Sequence, residues 1–265
     1  MDEGFSPPLL PNEIQKGLET LRLGRKIHYF QEIDSTNAYA WRLAQEGAEE
    51  GEIVVAESQT RGRGRKGRPW FSPPYRNLYI SLILRPRMPP IHAPQITLMA
   101  AVALAETVES FLSFTPEIKW PNDILVSGKK LGGILTESSC EGERILFVVL
   151  GIGVNLNLPE ELMPEAIRHS ATSLFMVTGK KVDRVAFARR LIQSLERCYE
   201  DLEQNGFSPG RWESYFGLRG KRVRVNMGDR YVVGKALGID ADGALLLEDE
   251  EGTVEKIISG DVLPA

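Results

Sequence analysis

The 265-residue chain carries 32 lysines and arginines against 36 aspartates and glutamates, a formal net charge of −4, and 42% of its residues are hydrophobic. This balance excludes a disordered chain and a protein whose whole surface is a nucleic-acid footprint, and the length has room for one large domain and a small one. Cys140 and Cys198 are the only cysteines, too few for a disulfide framework or a structural zinc site. Residues 1–8 lack the basic and apolar segments of a signal peptide, and the apolar stretch from Ile96 to Phe114 is interrupted by Glu106 and Glu109. A soluble cytoplasmic protein without a membrane partner is expected.

Residues 1–25 show little apolar pattern and read as an N-terminal arm or linker, with a helical turn around 12–18. A larger domain is expected over 26–216. Asp34-Ser35-Thr36-Asn37 offers helix N-caps ahead of apolar residues at helical spacing up to Gly47. Residues 53–56 and 78–84 read as buried strands. The spacing then predicts a deeply packed helix over 96–114 and strands at 117–120, 124–126, 131–137 and 145–150, with a hairpin signal at Ser127-Gly128-Lys129. A long amphipathic helix follows over 183–204. Helices interleaved with hairpins predict an α+β fold, a mixed and largely antiparallel sheet with packed helices. After Gly217, short β segments at 221–226, 231–239, 244–247 and 254–258, separated by Gly and Asp turns, predict a small antiparallel barrel over 217–265.

The stretch from Arg61 to Arg68 holds five cations and three glycines in eight residues. Glycine lets backbone approach a ligand and expose successive amides to an anion, and arginine supplies a planar fork for phosphate or carboxylate. Five like charges repel one another, so the loop is expected to become ordered when a phosphorylated ligand binds. The loop alone is equally compatible with a phosphorylated small molecule and with nucleic acid. It is neither a nucleotide-hydrolase phosphate loop, lacking the terminal Gly-Lys-Ser/Thr, nor a dinucleotide fingerprint, because Pro69-Trp70-Phe71-Ser72-Pro73-Pro74 cannot open a helix.

A second cluster, Lys119-Trp120-Pro121-Asn122-Asp123, runs from a strand end into a turn. Lys130-Leu131-Gly132-Gly133-Ile134-Leu135 and Gly151-Ile152-Gly153-Val154-Asn155 place glycines inside strands, where they mark the close approach of a ligand or another backbone. His28, His92 and His169 have no ligand spacing, and Glu248–Glu251 reads as a solvated turn.

In this order, Asp34-Ser35-Thr36-Asn37, Gln59, the 62–68 loop, Trp70-Phe71-Ser72, Lys119–Asp123, Lys130–Leu135 and Gly151–Asn155 resemble the biotin–protein ligases. The resemblance covers the chain from about Gly24 to its end. It implies a catalytic domain of the class II synthetase type followed by an SH3-like barrel. It also implies an ATP-dependent reaction in two steps: biotin is adenylated to biotinyl-5′-AMP, then transferred to a lysine of the biotin carboxyl carrier domain of acetyl-CoA carboxylase or a related carboxylase.

By the same resemblance, Lys130, Arg65 and Asp123 carry the chemistry, with Lys130 between the biotin carboxylate and the α-phosphate. Ser35, Thr36, Asn37, Gln59, Arg63, Gly64, Arg65, Lys130 and Gly133 bind biotin. Arg63, Arg65, Arg68, Trp70, Lys119, Asn122 and Asn155 bind ATP. Mg2+ is held mainly by the nucleotide, with Asp123 as the protein group that can assist. A homodimer is favoured over a monomer.

Two enzyme readings stay open at the level of chemistry, since lipoate–protein ligases share the fold and the adenylation logic. The cation density of the loop favours biotin. An RNA-binding module using Trp70, Phe71 and Tyr75 as stacking residues is the reading from another class, and the overall charge opposes it. Bifunctional members of the family carry an N-terminal DNA-binding domain. About 25 residues precede Lys26, so a ligase without DNA binding is expected, or a chain from which such a domain was removed.

Overall fold

The run Leu78-Tyr79-Ile80-Ser81-Leu82-Ile83-Leu84 is buried at every position, as a strand covered on both faces must be. In a computed structural model, which describes residues 6–264, this run lies inside a seven-stranded sheet. The elements in chain order are α1 (Pro11–Gln15), β1 (Ile27–Ile33), α2 (Thr36–Gln45), β2 (Ile53–Gln59), β3 (Leu78–Leu84), α3 (Ala93–Glu109), β4 (Glu117–Lys119), β5 (Asp123–Val126), β6 (Lys129–Glu141) and β7 (Arg144–Val154). After them come α4 (Glu165–Arg168), α5 (Leu174–Thr178), α6 (Arg184–Asn205) and α7 (Pro209–Glu213).

The sheet order is β1-β2-β3-β7-β6-β5-β4; β1 and β2 are parallel and every other pair is antiparallel. This is the mixed, largely antiparallel sheet that the hairpins predict. Side chains alternate between its two faces. Ile53, Val55, Ile80, Leu82, Leu150 and Ile152 join the main core with α3 and α6. Val54, Ile83, Phe147 and Val149 pack instead under α2, with Ala40 and Ala44. Ser35 caps α2, its hydroxyl accepting the Ala38 amide at 3.4 Å. Asp183 caps α6 by accepting the Val185 and Ala186 amides at 2.9 and 3.0 Å.

Several boundaries differ from expectation. Pro94 fixes the start of α3 at Ala93, and the helix ends at Glu109. The helical stretch Pro90–Glu109 is long and apolar enough to cross a membrane by length and composition, but 67% of its apolar window is buried within this chain, which accounts for its composition. Between β5 and β6 the turn is Ser127-Gly128, both at positive φ (52° and 74°), the geometry that a two-residue hairpin requires. Strand β1 has no counterpart among the predicted strands; its side chains are half-buried or exposed throughout, so no apolar alternation marks it. Cys140 lies exposed in β6, where the β6–β7 register shifts.

The segment before residue 26 runs across the larger unit. Leu9, Ile14 and Leu23 are buried in the main core, and the Glu196 carboxylate accepts the Leu21, Arg22 and Leu23 amides.

Strands β8 (Arg222–Asn226), β9 (Tyr231–Ile239), β10 (Leu245–Glu248), β11 (Val254–Ile257) and β12 (Asp261–Pro264) form a second sheet in the order β11-β10-β9-β8-β12, antiparallel throughout. Among the described residues no pairing joins β11 to β12, so the predicted barrel is an open five-stranded sheet consistent with an SH3-like domain. Trp120 links the two sheets, its indole N–H donating to the Gly243 carbonyl at 3.1 Å.

Candidate functional site

On the α2 side of the large sheet, a row of paired residues runs Ala56, Tyr79, Gly153, Gly133, Asp123 across five strands. The two glycines in the middle leave a trough. A cavity of about 600 Å³ lies above it, a size suited to small-molecule ligands. A Cβ on Gly153 would lie 2.6 Å from Trp70 Cε2, and one on Gly151 would lie 1.9 Å from Asn37 Oδ1. These glycines therefore admit side chains of the site, where the sequence had suggested a ligand or another backbone.

Lys130 reaches this face through a β-bulge. Ile124 pairs with Gly132 but Leu125 pairs with Lys130, so Leu131 is the extra residue and the alternation shifts by one. Leu131 joins the core on the other face, while Lys130 turns to the cavity side. Its backbone is pinned by hydrogen bonds to Ser170 and Thr172 at 2.8 and 2.9 Å. Its Nζ lies 2.7 Å from Asp123 Oδ1 and 5.3 Å from the centre of the Trp70 ring. Trp70 Nε1 is buried without a hydrogen-bond partner among the described residues, so it retains capacity for a ligand, while Asp123 Oδ1 is engaged by Lys130.

A polar pocket adjoins this trough. Gln59 Oε1 accepts the Thr36 amide and hydroxyl at 2.9 and 3.1 Å, while its Nε2 donates to Ser72 Oγ at 3.1 Å. Asn37 Oδ1 accepts from Ser81 Oγ at 2.6 Å, and its Nδ2 donates to Leu135 O and Glu137 Oε2 at 3.2 and 3.0 Å. Each side chain is held by others, which is the preorganisation a specific pocket needs.

The basic loop closes over the site as a tight turn. Gly64 donates to the Arg68 carbonyl at 2.7 Å and Trp70 to that of Gly62 at 2.8 Å, with Lys66 and Gly67 at positive φ. Its expected self-repulsion is answered inside the chain. Asp261 lies 2.6, 3.2 and 3.8 Å from Arg68, Lys66 and Arg65, and Glu137 lies 3.4 Å from Arg63. Arg65 also donates to Asn122 Oδ1 at 3.1 Å. Burial pulls the Arg65 guanidinium below its usual value against the opposing pull of Asp261 and Asp123. Burial alone would raise Asp261, but Lys66, Arg68 and Arg65 hold its carboxyl below the usual range.

Thus Ser35, Thr36, Asn37, Gln59, Arg63, Gly64, Arg65, Arg68, Trp70, Asn122, Asp123, Lys130, Gly133 and Asn155 all line one cavity. Lys119 does not; it belongs to β4, one strand beyond the Asp123 wall. Asn155 serves as a brace, accepting from Asn77 Nδ2 at 3.2 Å and donating to Thr172 O at 3.0 Å. Sequence reasoning missed Arg61, Tyr79, Ser81 and Asp261. Arg61 stands in the loop already singled out, whereas the others become visible only when the strands are paired.

A family model for the biotin/lipoate A/B protein ligase family matches residues 29–155, and one for the biotin protein ligase C-terminal domain matches 219–263. The chain is 42% identical over 256 residues to the bifunctional ligase/repressor BirA of Bacillus subtilis, covering 96% of this chain and 78% of that protein. It belongs to the biotin protein ligase family. The ligase is also 34% identical over 266 residues to the biotin–[acetyl-CoA-carboxylase] ligase of Mycobacterium tuberculosis, covering 97% of this chain and 96% of that one. Its fold matches the Aquifex aeolicus biotin protein ligase in complex with biotin and ATP, with TM-score 0.77 and 30% identity over 90% of this chain and 98% of that one.

In this ligase the glycine trough has a measurable consequence. Gly153→Ala is expected to displace the Trp70 ring and to cost about 1–3 kcal/mol of stability, the usual cost of overpacking. Urea denaturation reads this, and an unchanged midpoint would mean that the ring has room to move.

Proposed function

We infer that this ligase activates biotin with ATP and attaches it to a lysine of the biotin carboxyl carrier domain of a carboxylase. The observation that carries this reading is the charge inside the cavity. Among the described residues five cations, Arg61, Arg63, Arg65, Arg68 and Lys130, line it against two lining carboxylates, Asp123 and Asp261, with Glu137 paired to Arg63, beside the polar pocket of Thr36, Asn37 and Gln59.

In the first step an oxygen of the biotin carboxylate attacks the α-phosphorus, the bond to the β-phosphate oxygen breaks, and pyrophosphate leaves. An anion must approach a polyanion, so fixed positive charge lowers the barrier. Lys130, a compact charge on a flexible stem, is proposed to neutralise both reactants as the new bond forms. In the second step the acceptor amine attacks the acyl carbon, AMP departs with the bonding electrons, and the nitrogen loses a proton. Asp123 is proposed to orient that amine.

Among the described residues there is no group of three metal-ligating side chains, so the donor set suits Mg2+ carried by the nucleotide phosphates with Asp123 as the assisting carboxylate. Bound there, Mg2+ supplies further positive charge at the phosphates. We also propose a homodimer through the central sheet, whose strand β1 is paired on one side only among the described residues, and a reducing, cytoplasmic setting for the free Cys140 and Cys198. Sedimentation tests the dimer.

Mass spectrometry of a purified carrier domain incubated with this chain, ATP, Mg2+ and biotin tests the function. One biotinyl group per domain is expected, with no product from lipoate; lipoylation in its place would move the chain to the rival reading. Arg65→Ala is expected to release biotinyl-5′-AMP about 10- to 100-fold faster, the loss of a hydrogen bond to a charged group, and to biotinylate bystander lysines. Retention of the intermediate by this variant would remove Arg65 from that role.

A further inference from the structure

The basic loop is engaged by a carboxylate from the other sheet. Asp261 opens β12, where its backbone is fixed by pairing with Asn226 of β8. Its Oδ2 lies 2.6 Å from Arg68 and 3.2 Å from Lys66, and its Oδ1 lies 3.8 Å from Arg65. The adjacent Gly260 carbonyl accepts from Arg65 Nη2 at 3.4 Å. Gly260 sits so close to β8 that a Cβ there would lie 2.5 Å from Val225 Cγ1, so the approach depends on glycine. The Asp261 side chain is 14% exposed and lines the same cavity as Arg65 and Arg68.

Three cations therefore converge on one internal carboxylate, and two of them, Arg65 and Arg68, line with it the cavity assigned above to ATP. A carboxylate and a phosphate oxygen compete for the same guanidinium and ammonium donors. We propose that Asp261 is a positioning residue of the C-terminal sheet: it holds Arg65, Lys66 and Arg68 in place of phosphate, yields them to the incoming polyphosphate, and takes them back when pyrophosphate leaves. The second sheet thereby sets both the order of the loop and the affinity of the site for pyrophosphate. This inference rests on the ligase reading for its place in the reaction cycle, although the contact itself does not.

The test compares Asp261→Asn with Asp261→Glu in the full chain. Hydrogen–deuterium exchange over 61–70 without nucleotide reads loop order, and calorimetric titration with inorganic pyrophosphate reads the cations. Asp261→Asn is expected to speed exchange and tighten pyrophosphate binding about three- to tenfold, the range that a few partly exposed ion pairs provide. Asp261→Glu, which keeps the charge, is expected to restore slow exchange. A merely structural role predicts the opposite sign for pyrophosphate, because a damaged site binds it more weakly. Unchanged exchange, unchanged or weaker pyrophosphate binding in Asp261→Asn, or equal behaviour of the two variants would overturn the proposal. Neither measurement uses biotin, so failure of the ligase reading would show separately, as absence of biotin-dependent turnover in the unsubstituted protein.

Discussion

Lys130→Ala is expected to slow biotin-dependent exchange of pyrophosphate into ATP about 10²- to 10³-fold, the usual loss on removing one preorganised group that stabilises developing charge. Lys130 is aimed by the bulge at Leu131, braced by backbone bonds to Ser170 and Thr172, and faced by Asp123. Its removal leaves Asp123 unpaired and adds a negative charge at the place where two anions must meet. Folding should survive, because both side chains of the pair are partly exposed and such pairs contribute little to stability. Lys130→Arg should recover only part of the rate. A Cβ on Gly133 would lie 3.1 Å from Lys130 Cε, so the lysine stem already lies against the trough floor and a broader guanidinium has little room there. Exchange within tenfold of the unsubstituted protein would move the charge-neutralising role to the loop arginines.

Much of this site is legible in the sequence because its parts are local. The Ser35 cap, the Ser127-Gly128 turn and the Gly-Arg loop each rest on chemistry contained within a few residues. The motif order supplies the family, and with it the roles proposed for Lys130 and Arg65. What the sequence conceals depends on pairing between distant segments. Tyr79 and Ser81 look like ordinary members of a buried strand until β7 brings Gly153 and Gly151 opposite them. Asp261 stands in a four-residue strand that no apolar run announces, 193 residues from the Arg68 that it contacts. Lys119, close to Asn122 and Asp123 in sequence, stands one strand outside the cavity lining.

The buried pair Glu57–Arg184 leads to the largest expected loss of stability. Their side chains are 0% and 1% exposed and 2.8 Å apart, and each makes further bonds. Arg184 donates to the Asn77 carbonyl at 3.0 Å and the Pro7 carbonyl at 2.6 Å, while Glu57 accepts the Leu9 amide at 2.6 Å. Burial, and next the Glu57 charge, push the Tyr29 phenol up to about 12. One ion pair thus ties the N-terminal segment and the first turn of α6 to β2. It also fixes Asn77, whose side chain braces Asn155 in the wall of the site. Arg184→Met strands a carboxylate in the core and is expected to cost about 3–5 kcal/mol, measured by urea denaturation. Combining it with Glu57→Leu removes the stranded charge, so part of the loss should return. The return should be incomplete, because the Pro7 and Asn77 carbonyls and the Leu9 amide each lose a partner in the double variant. A single variant that loses less than about 1 kcal/mol would mean that water reaches Glu57, and that the segment around Pro7 and Leu9 is held by apolar packing alone.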